Sequence, residues 1–372
     1  MVGMSYDGHE FALKRILKVN YRSLESWLTR MRRLQMDNRF LARYFDCIED
    51  IHFGYFAMEL CEYNLTQYMM LLSNAGRLTT QALPICYQIL CGLQALHDVA
   101  MLHMNLKPTN VIIDAEGRVK LSDYGLFYGI PKAHSQSLRS LLNVCWCPTE
   151  VLNPKYQGFP YTSASDVQVA GMLIHYVLTG GLHPFGDDAM QCQHNIKSGN
   201  PRFGAGLGFL GQHLLSWMLP PDMHKRKFIS ECLLHPLFWP ENKRFAFILT
   251  VAEQSDVREK KKTTVTKEID SYAKWIGCTD WKQAVAAAAA AVGLRRGEEV
   301  YSSSVCDLLR CIGDTSRRFR QMPLEYQSNL VNPRFYFDRL YPKLFLPIYD
   351  IVYKTDWKSR QSLCPFFLRQ RM

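Results

Sequence analysis

No uncharged apolar run in the 372 residues is long enough to span a membrane. The longest, about Ala284 to Leu294, is roughly half of the ~20 residues that a helix needs to cross a bilayer. The N-terminal stretch MVGMSYDGHEFALKRIL has no basic region followed by an apolar core, the mark of a secretory signal. The 12 cysteines are scattered; only Cys145 and Cys147 are close together and no CxxC pair repeats. Neither zinc ligation nor a disulfide framework is therefore expected, and reduced thiols in a cytoplasmic chain are. Charged residues are scarce at 21%, against 48% hydrophobic, which is the composition of a packed globular protein. The length allows two or three domains.

The net charge of +10 is unevenly spread. Residues 1–239 hold 21 Lys and Arg against 19 Asp and Glu, whereas residues 240–372 hold 23 against 15. A basic final third suits an acidic partner such as RNA, and a solvated surface accounts for it equally well. No DNA partner is expected.

Three regions follow from periodicity. Residues 1 to about 60 read as strand, helix, strand, strand, with EFALKRIL and GYFAMEL β-like and SLESWLTRMRRLQ helical. Residues 80–239 read as mostly helical, Leu83, Cys86, Ile89, Leu90, Leu93 and Leu96 forming a core-facing stripe. After HPLFWP a third region is expected to open with the charged REKKKTTVTKE, as a linker or exposed helix edge, and its AVAAAAAAV run reads as a helix. The boundary between domains is placed at 239/240.

LHMNLKPTNVII, residues 102–113, approximates the kinase catalytic loop His-Arg-Asp-Leu-x-x-x-x-Asn, with Asn105 where the proton-accepting aspartate belongs. Other motifs follow in order. FALK matches the lysine strand and FAMELCEYNL the hinge; SDYGL matches the metal-binding tripeptide, and WCPTEVL the end of the activation segment. The first two regions thus resemble a protein kinase. The resemblance implies that Lys14 contacts nucleotide phosphates, that Met58 is the gatekeeper, and that backbone groups of Glu59 and Cys61 are available to adenine. It further implies that Asn110 and Asp123 bind the metal, and that Asp166 and Arg226 are structural. Glu25 is the nearest carboxylate to pair with Lys14, although the motif spacing points to Leu28. Ser135, Ser137 and Ser140 are candidate phosphorylation sites in the activation segment.

The departures matter as much. An amide at Asn105 cannot take a proton near neutral pH, and Met104 replaces an arginine, so phosphotransfer is not expected. Upstream of Glu10 only VGMSYDG stands where a glycine-rich hairpin would cover the phosphates. Either the natural start lies further upstream or the phosphates are poorly enclosed.

In the third region, VCDLLRCIGDTSRRFRQMP and NPRFYFDRLYPKLFLPIY resemble the KEN domain of the kinase/KEN endoribonuclease family, which includes ribonuclease L and the inositol-requiring enzyme of the unfolded-protein response. The fold class implied is α+β: a bilobal kinase-like domain with an incomplete β-rich lobe, followed by an all-α KEN domain. In that family nucleotide favours a back-to-back homodimer that cuts RNA. Aligned on Asp307-Leu308-Leu309, Gly313, Asp314 and Arg318 stand at the family's catalytic arginine, asparagine and histidine, and Tyr301 and Tyr349 match tyrosines near that site. Arginine cannot titrate near neutrality, and the nearest histidines in sequence, His224 and His235, lie far upstream. The segment Arg317 to Arg320 keeps a positive patch for phosphate.

The expected function is a nucleotide-binding, dimerising pseudokinase fused to a degenerate KEN module, holding ATP or ADP with Mg and binding RNA. The alternative is an active, nucleotide-gated endoribonuclease. An active Ser/Thr kinase ranks behind both.

Overall fold

The computed structural model describes residues 1–17, 24–33, 38–126, 143–153, 161–285, 301–322, 324, 327–328 and 332–368. Ser135, Ser137, Ser140 and the body of the alanine run lie outside the described residues. The chain divides into two compact units, Met1–Phe238 and Trp239–Met372.

The first unit begins with a four-stranded antiparallel sheet in the order β1-β2-β4-β3. Its strands are β1 (Val2–Met4), β2 (Glu10–Leu17), β3 (Tyr44–Glu49) and β4 (Phe53–Met58). EFALKRIL is the whole of β2, and Lys14 lies opposite Phe56 of β4. Strict alternation in β4 buries Gly54, Phe56 and Met58. Part of the hairpin expected to be missing is present: β1 pairs with β2 through a turn in which Ser5 and His9 are hydrogen-bonded. Helix α1 (Leu24–Arg33) buries Leu24, Trp27, Leu28 and Met31, one face at i, i+3, i+4 and i+7. The Trp27 ring meets Tyr44 and Phe56 edge-on at 4.7 and 5.0 Å.

The rest of this unit is mainly helical, as its sequence pattern indicates. Helix α2 (Leu65–Asn74) starts at a capping box between Asn64 and Gln67, and α3 (Leu78–Asp98) packs on α4 (Ser163–Leu178). Helices α5 (Ala189–Ser198) and α6 (Gly208–Met218) complete the labelled helices of this unit. A small antiparallel sheet, β5 (Tyr63–Asn64), β6 (Val111–Ile113) and β7 (Val119–Leu121), interrupts the helices. The core stripe of α3 runs through Ala82, Ile85, Cys86, Ile89, Leu90, Leu93 and Leu96. Leu83 is not part of it: at 37% exposure it lies at the stripe's edge, and its neighbours Ala82 and Ile85 face inward instead.

The second unit contains helices α7 (Glu241–Ala252), α8 (Thr264–Ser271), α9 (Val305–Arg318), α10 (Pro333–Leu340) and α11 (Phe345–Lys354). It therefore opens with α7 and not with REKKKTTVTKE, which runs from a short helix (Ser255–Arg258) through a turn into α8. The apolar ILTV segment of α7 explains this, since Phe247, Ile248 and Val251 are core residues. Trp239, Phe247, Phe345, Tyr349 and Phe366 form an aromatic cluster around them. No helix among the described residues is long and apolar enough to cross a membrane.

One buried ion pair ties distant parts of the first unit together. Arg226 and Glu150 are 0% and 2% exposed, and their fork is bidentate at 3.0 and 2.8 Å. The other guanidinium hydrogens go to the carbonyls of Pro220, Ala164 and Pro221. Removing one partner strands a buried charge, so Arg226→Met should cost about 3–5 kcal/mol in urea unfolding. The double variant Arg226→Met/Glu150→Gln should recover much of that loss; no recovery would mean that the packing around the pair matters more than its charge.

Candidate functional site

The catalytic-loop segment is set by Asp166 in the first turn of α4. Its carboxylate is fully buried and accepts the backbone N–H groups of His103 and Met104 at 2.8 and 3.1 Å. The Tyr161 hydroxyl donates to it at 2.8 Å, and His97 Nε2 lies 3.1 Å away. Burial pushes this carboxyl up, but the bond and charge of His97 and the other donors outweigh it and hold it below the usual carboxylate range. The reward is a fixed loop: Met104 sits at φ +63, a left-handed conformation that costs a non-glycine residue on the order of 1–3 kcal/mol. Asn105 is 8% exposed and works through its backbone, giving its N–H to His103 Nδ1 at 3.3 Å and accepting the Asn110 amide at 2.8 Å.

Asp123 follows β7 at φ +61, with its N–H donated to the Tyr44 hydroxyl at 2.8 Å. Its Oδ2 meets Lys14 Nζ at 2.5 Å, while its Oδ1 is buried without a hydrogen-bond partner. A buried carboxylate oxygen left unpaired costs about 1–3 kcal/mol or more, so the site favours a cation there. Lys107 approaches from the loop; burial pulls its pKa down, Asp123 pulls it up and Lys14 pulls it down again. Lys14, Lys107, Asn110 and Asp123 thus converge.

The expected pairing of Lys14 with Glu25 is not formed. Glu25 lies on the exposed side of α1, and the buried face offers Trp27 and Leu28. Lys14 takes Asp123 because no α1 carboxylate points inward. Trp27 supplies the link between helix and site, donating its indole N–H to the Tyr124 carbonyl at 3.0 Å.

At the hinge Met58 is buried at the end of β4. The Glu59 N–H is not available to adenine, because it donates to the Arg43 carbonyl at 2.9 Å. The Glu59 carboxylate is held by Lys120 and by the Arg43 N–H, each at 2.7 Å. Cys61 is half-buried, its thiol pushed up to about 12 by burial and next by Glu59.

In the second unit Asp307, Gly313, Asp314 and Arg318 all lie on α9. Asp314 does not stand as a bare charge: Arg258 and the Tyr301 hydroxyl bind it at 2.6 and 2.7 Å, and Arg317 at 3.4 Å. Burial raises its pKa, but the Tyr301 and Arg258 bonds prevail and hold it low. Arg317 also pairs with Glu253, so one arginine of the RRFR patch is already engaged. Arg318 and Arg320 are exposed. A Cβ on Gly313 would come within 3.2 Å of the Ala252 Cβ, so this glycine serves the close approach of α7 to α9. Tyr301 and Tyr349 are both buried and do not present a surface to RNA; Tyr301 packs on Trp281, and Tyr349 stacks on Phe345.

Sequence reasoning missed Lys107, although NLKPTN carries it at the loop's own spacing, and missed Glu150, the glutamate of CPTE. Nothing in the sequence pointed to Tyr44 or Arg258.

A protein kinase domain model matches residues 3–238, and a ribonuclease 2-5A model matches residues 244–367. A serine/threonine-protein kinase/endoribonuclease of Caenorhabditis elegans, ire-1, is 29% identical over 96% of the chain. A human protein with the same description, IRE2, is 29% identical over 92%, and a probable serine/threonine-protein kinase of Dictyostelium discoideum, ireA, 29% over 71%. The chain spans 38%, 38% and 27% of those proteins.

Burial holds the His103 ring neutral, lowering its pKa to about 4, whereas an unfolded histidine titrates near its ordinary value of 6.5. The unfolded chain therefore binds more protons between these values. The stability contributed is complete above about pH 6.5 and is lost as pH falls toward 4. Between pH 7 and 5 this group should cost about 2 kcal/mol, and His103→Gln should flatten the loss of thermal stability over that window. An unchanged profile would mean that His103 is not the group titrating.

Proposed function

Because the chain belongs to the protein kinase domain family and carries a ribonuclease 2-5A domain behind that fold, we propose that it is a nucleotide-gated regulator that does not transfer phosphate. Residues 1–239 are taken as the pseudokinase module and residues 240–372 as the KEN-type module. A kinase domain implies nucleotide binding. The finer reading is ATP or ADP with Mg, in the cytoplasm. Lys14 serves the phosphates, the Glu59 carbonyl and the Cys61 backbone serve the adenine behind Met58, and Asp123 and Asn110 are the oxygen donors for Mg.

The observation that carries this reading is the Asp123 carboxylate, with one oxygen on Lys14 and the other buried and unpartnered. That arrangement suits a cation, and the residues present fit one. Bound Mg would supply charge neutralisation for the phosphates. On the protein's side, Lys14 must give up part of its hold on Asp123 to meet a phosphate, and this exchange is the gate. With an amide at Asn105 no side chain takes the proton of an attacking hydroxyl, so the exchange ends in binding.

The relatives are described as kinase/endoribonucleases, which supports an output through the second module. We take that output to be a back-to-back homodimer whose paired KEN modules hold RNA. Cleavage is absent from the reading because Gly313, Asp314 and Arg318 supply neither a titrating histidine nor an amide donor.

ADP with Mg at about 100 times its Kd should stabilise the chain by about 3 kcal/mol, seen as a rise in thermal midpoint. Asp123→Ala should abolish the Mg-dependent part, and sedimentation should show a shift to dimer only in the parent protein. No shift with either nucleotide would sink the reading.

For RNA, Asp314→Asn should free Arg258 and Arg317 and tighten binding in a fluorescence-anisotropy titration, with a steeper salt dependence. Arg318→Ala should weaken it. Specific cutting of labelled RNA by the dimer, lost in Arg318→Ala, would instead establish the endoribonuclease.

A further inference from the structure

Outside both sites, Cys145, Cys192 and His183 form a cluster in the first unit. Cys145 lies in the turn Val144–Trp146, which packs against α5, and Cys192 lies in the first turns of that helix. The Cys192 thiol is buried and reaches His183 Nδ1 at 3.3 Å and the Gly186 carbonyl at 3.2 Å. The Cys145 thiol is half-buried and lies within hydrogen-bonding reach of Cys192. Trp146 stands edge-on over the His183 ring at 4.7 Å, fixing it beside both sulfurs.

The Phe185 N–H also donates to His183 Nδ1, at 3.2 Å. The neutral ring therefore carries its proton on Nε2 and presents a lone pair to Cys192. Burial holds that ring neutral, lowering its pKa to about 4, and pushes the Cys192 thiol up to about 12. Cys192 is thus unsuited to meet an oxidant itself. Its neighbour Cys145 is the one of the two that solvent reaches.

We infer that Cys145 and Cys192 are a reversible oxidation site, Cys145 sensing a peroxide and Cys192 resolving it with His183 as the proton acceptor. Hydrogen peroxide oxidises the Cys145 thiol: the O–O bond breaks, an S–O bond forms, and one water leaves. Cys192 sulfur then attacks Cys145 sulfur as its proton passes to His183 Nδ1. The S–S bond forms, the S–O bond breaks, and the departing hydroxide takes that proton to leave as a second water. The disulfide ties the turn Val144–Trp146, which leads into the short helix Thr149–Leu152, to α5.

The test treats the full chain with hydrogen peroxide, blocks remaining thiols and maps peptides by mass spectrometry. The expected result is a peptide pair joined through Cys145 and Cys192, lighter by two hydrogens and restored by dithiothreitol. Cys145→Ser should abolish the link and Cys147→Ser should leave it. His183→Gln should leave dimedone trapping of the Cys145 sulfenic acid intact but slow closure of the bond by about tenfold or more. Linkage to Cys147 or another cysteine, or a Cys145 sulfenic acid that persists in the parent protein, would overturn the proposal, as would closure in His183→Gln at the parent's rate. Cys192→Ala tests the same link at the buried partner; circular dichroism must match the parent for the result to count, and a link surviving there would overturn the pairing.

Discussion

The Asp166 carboxylate is the constraint on which the first site rests. A charge fully removed from water is tolerated only when every lone pair is used, and here two backbone N–H groups, a tyrosine hydroxyl and a histidine use them. Two of those donors are the very amides that set the left-handed turn at Met104. The loop's shape is therefore decided from beneath, by α4, and not by the side chain at position 105. Asn105 contributes its own N–H and carbonyl, which any residue supplies. Exchanging an acid for an amide there removes a proton acceptor without loosening the loop, so a nucleotide pocket can outlast phosphotransfer.

A second constraint follows from what α1 lacks. With no inward carboxylate on that helix, Lys14 and Asp123 neutralise each other directly. Trp27 then carries the mechanical coupling: its ring sits against Tyr44 and Phe56 of the sheet while its N–H holds the Tyr124 carbonyl, one residue from Asp123. Tyr44 closes the circuit by taking the Asp123 N–H. A displacement of Asp123 must be felt by α1 through packed rings, which yield less readily than a solvated ion pair.

How much of this was legible in the sequence depends on range. FALK was readable as a strand, and the loop and metal motifs as an ordered series, because each is local and its spacing is its signature. The partners were not. Tyr44 lies 79 positions from the Asp123 it supports, Glu150 lies 76 from Arg226, and Arg258 lies 56 from Asp314. No period in the chain encodes such pairings; they exist only once the core has brought the segments together. The same limit explains Leu83, which satisfies a helical stripe by count yet lies at its edge, and the opening of the second unit, where a conspicuous charge run drew attention from the quieter apolar face of α7.

The second unit shows why residue type at a position is a poor guide to field. Asp314 in place of an amide suggests repulsion of a phosphate. Its carboxylate instead gathers Arg258, Arg317 and the Tyr301 hydroxyl, and Glu253 takes Arg317 from the other side. Paired charges at this spacing cancel beyond about a Debye length, so some of the cationic excess of residues 240–372 is spent internally. Gly313 points the same way, since any side chain there would have to part α7 from α9. The helix is thus organised around its own packing and charge pairing, and the cations on its outer side, Arg318 and Arg320, are the ones placed to meet an anion from solution.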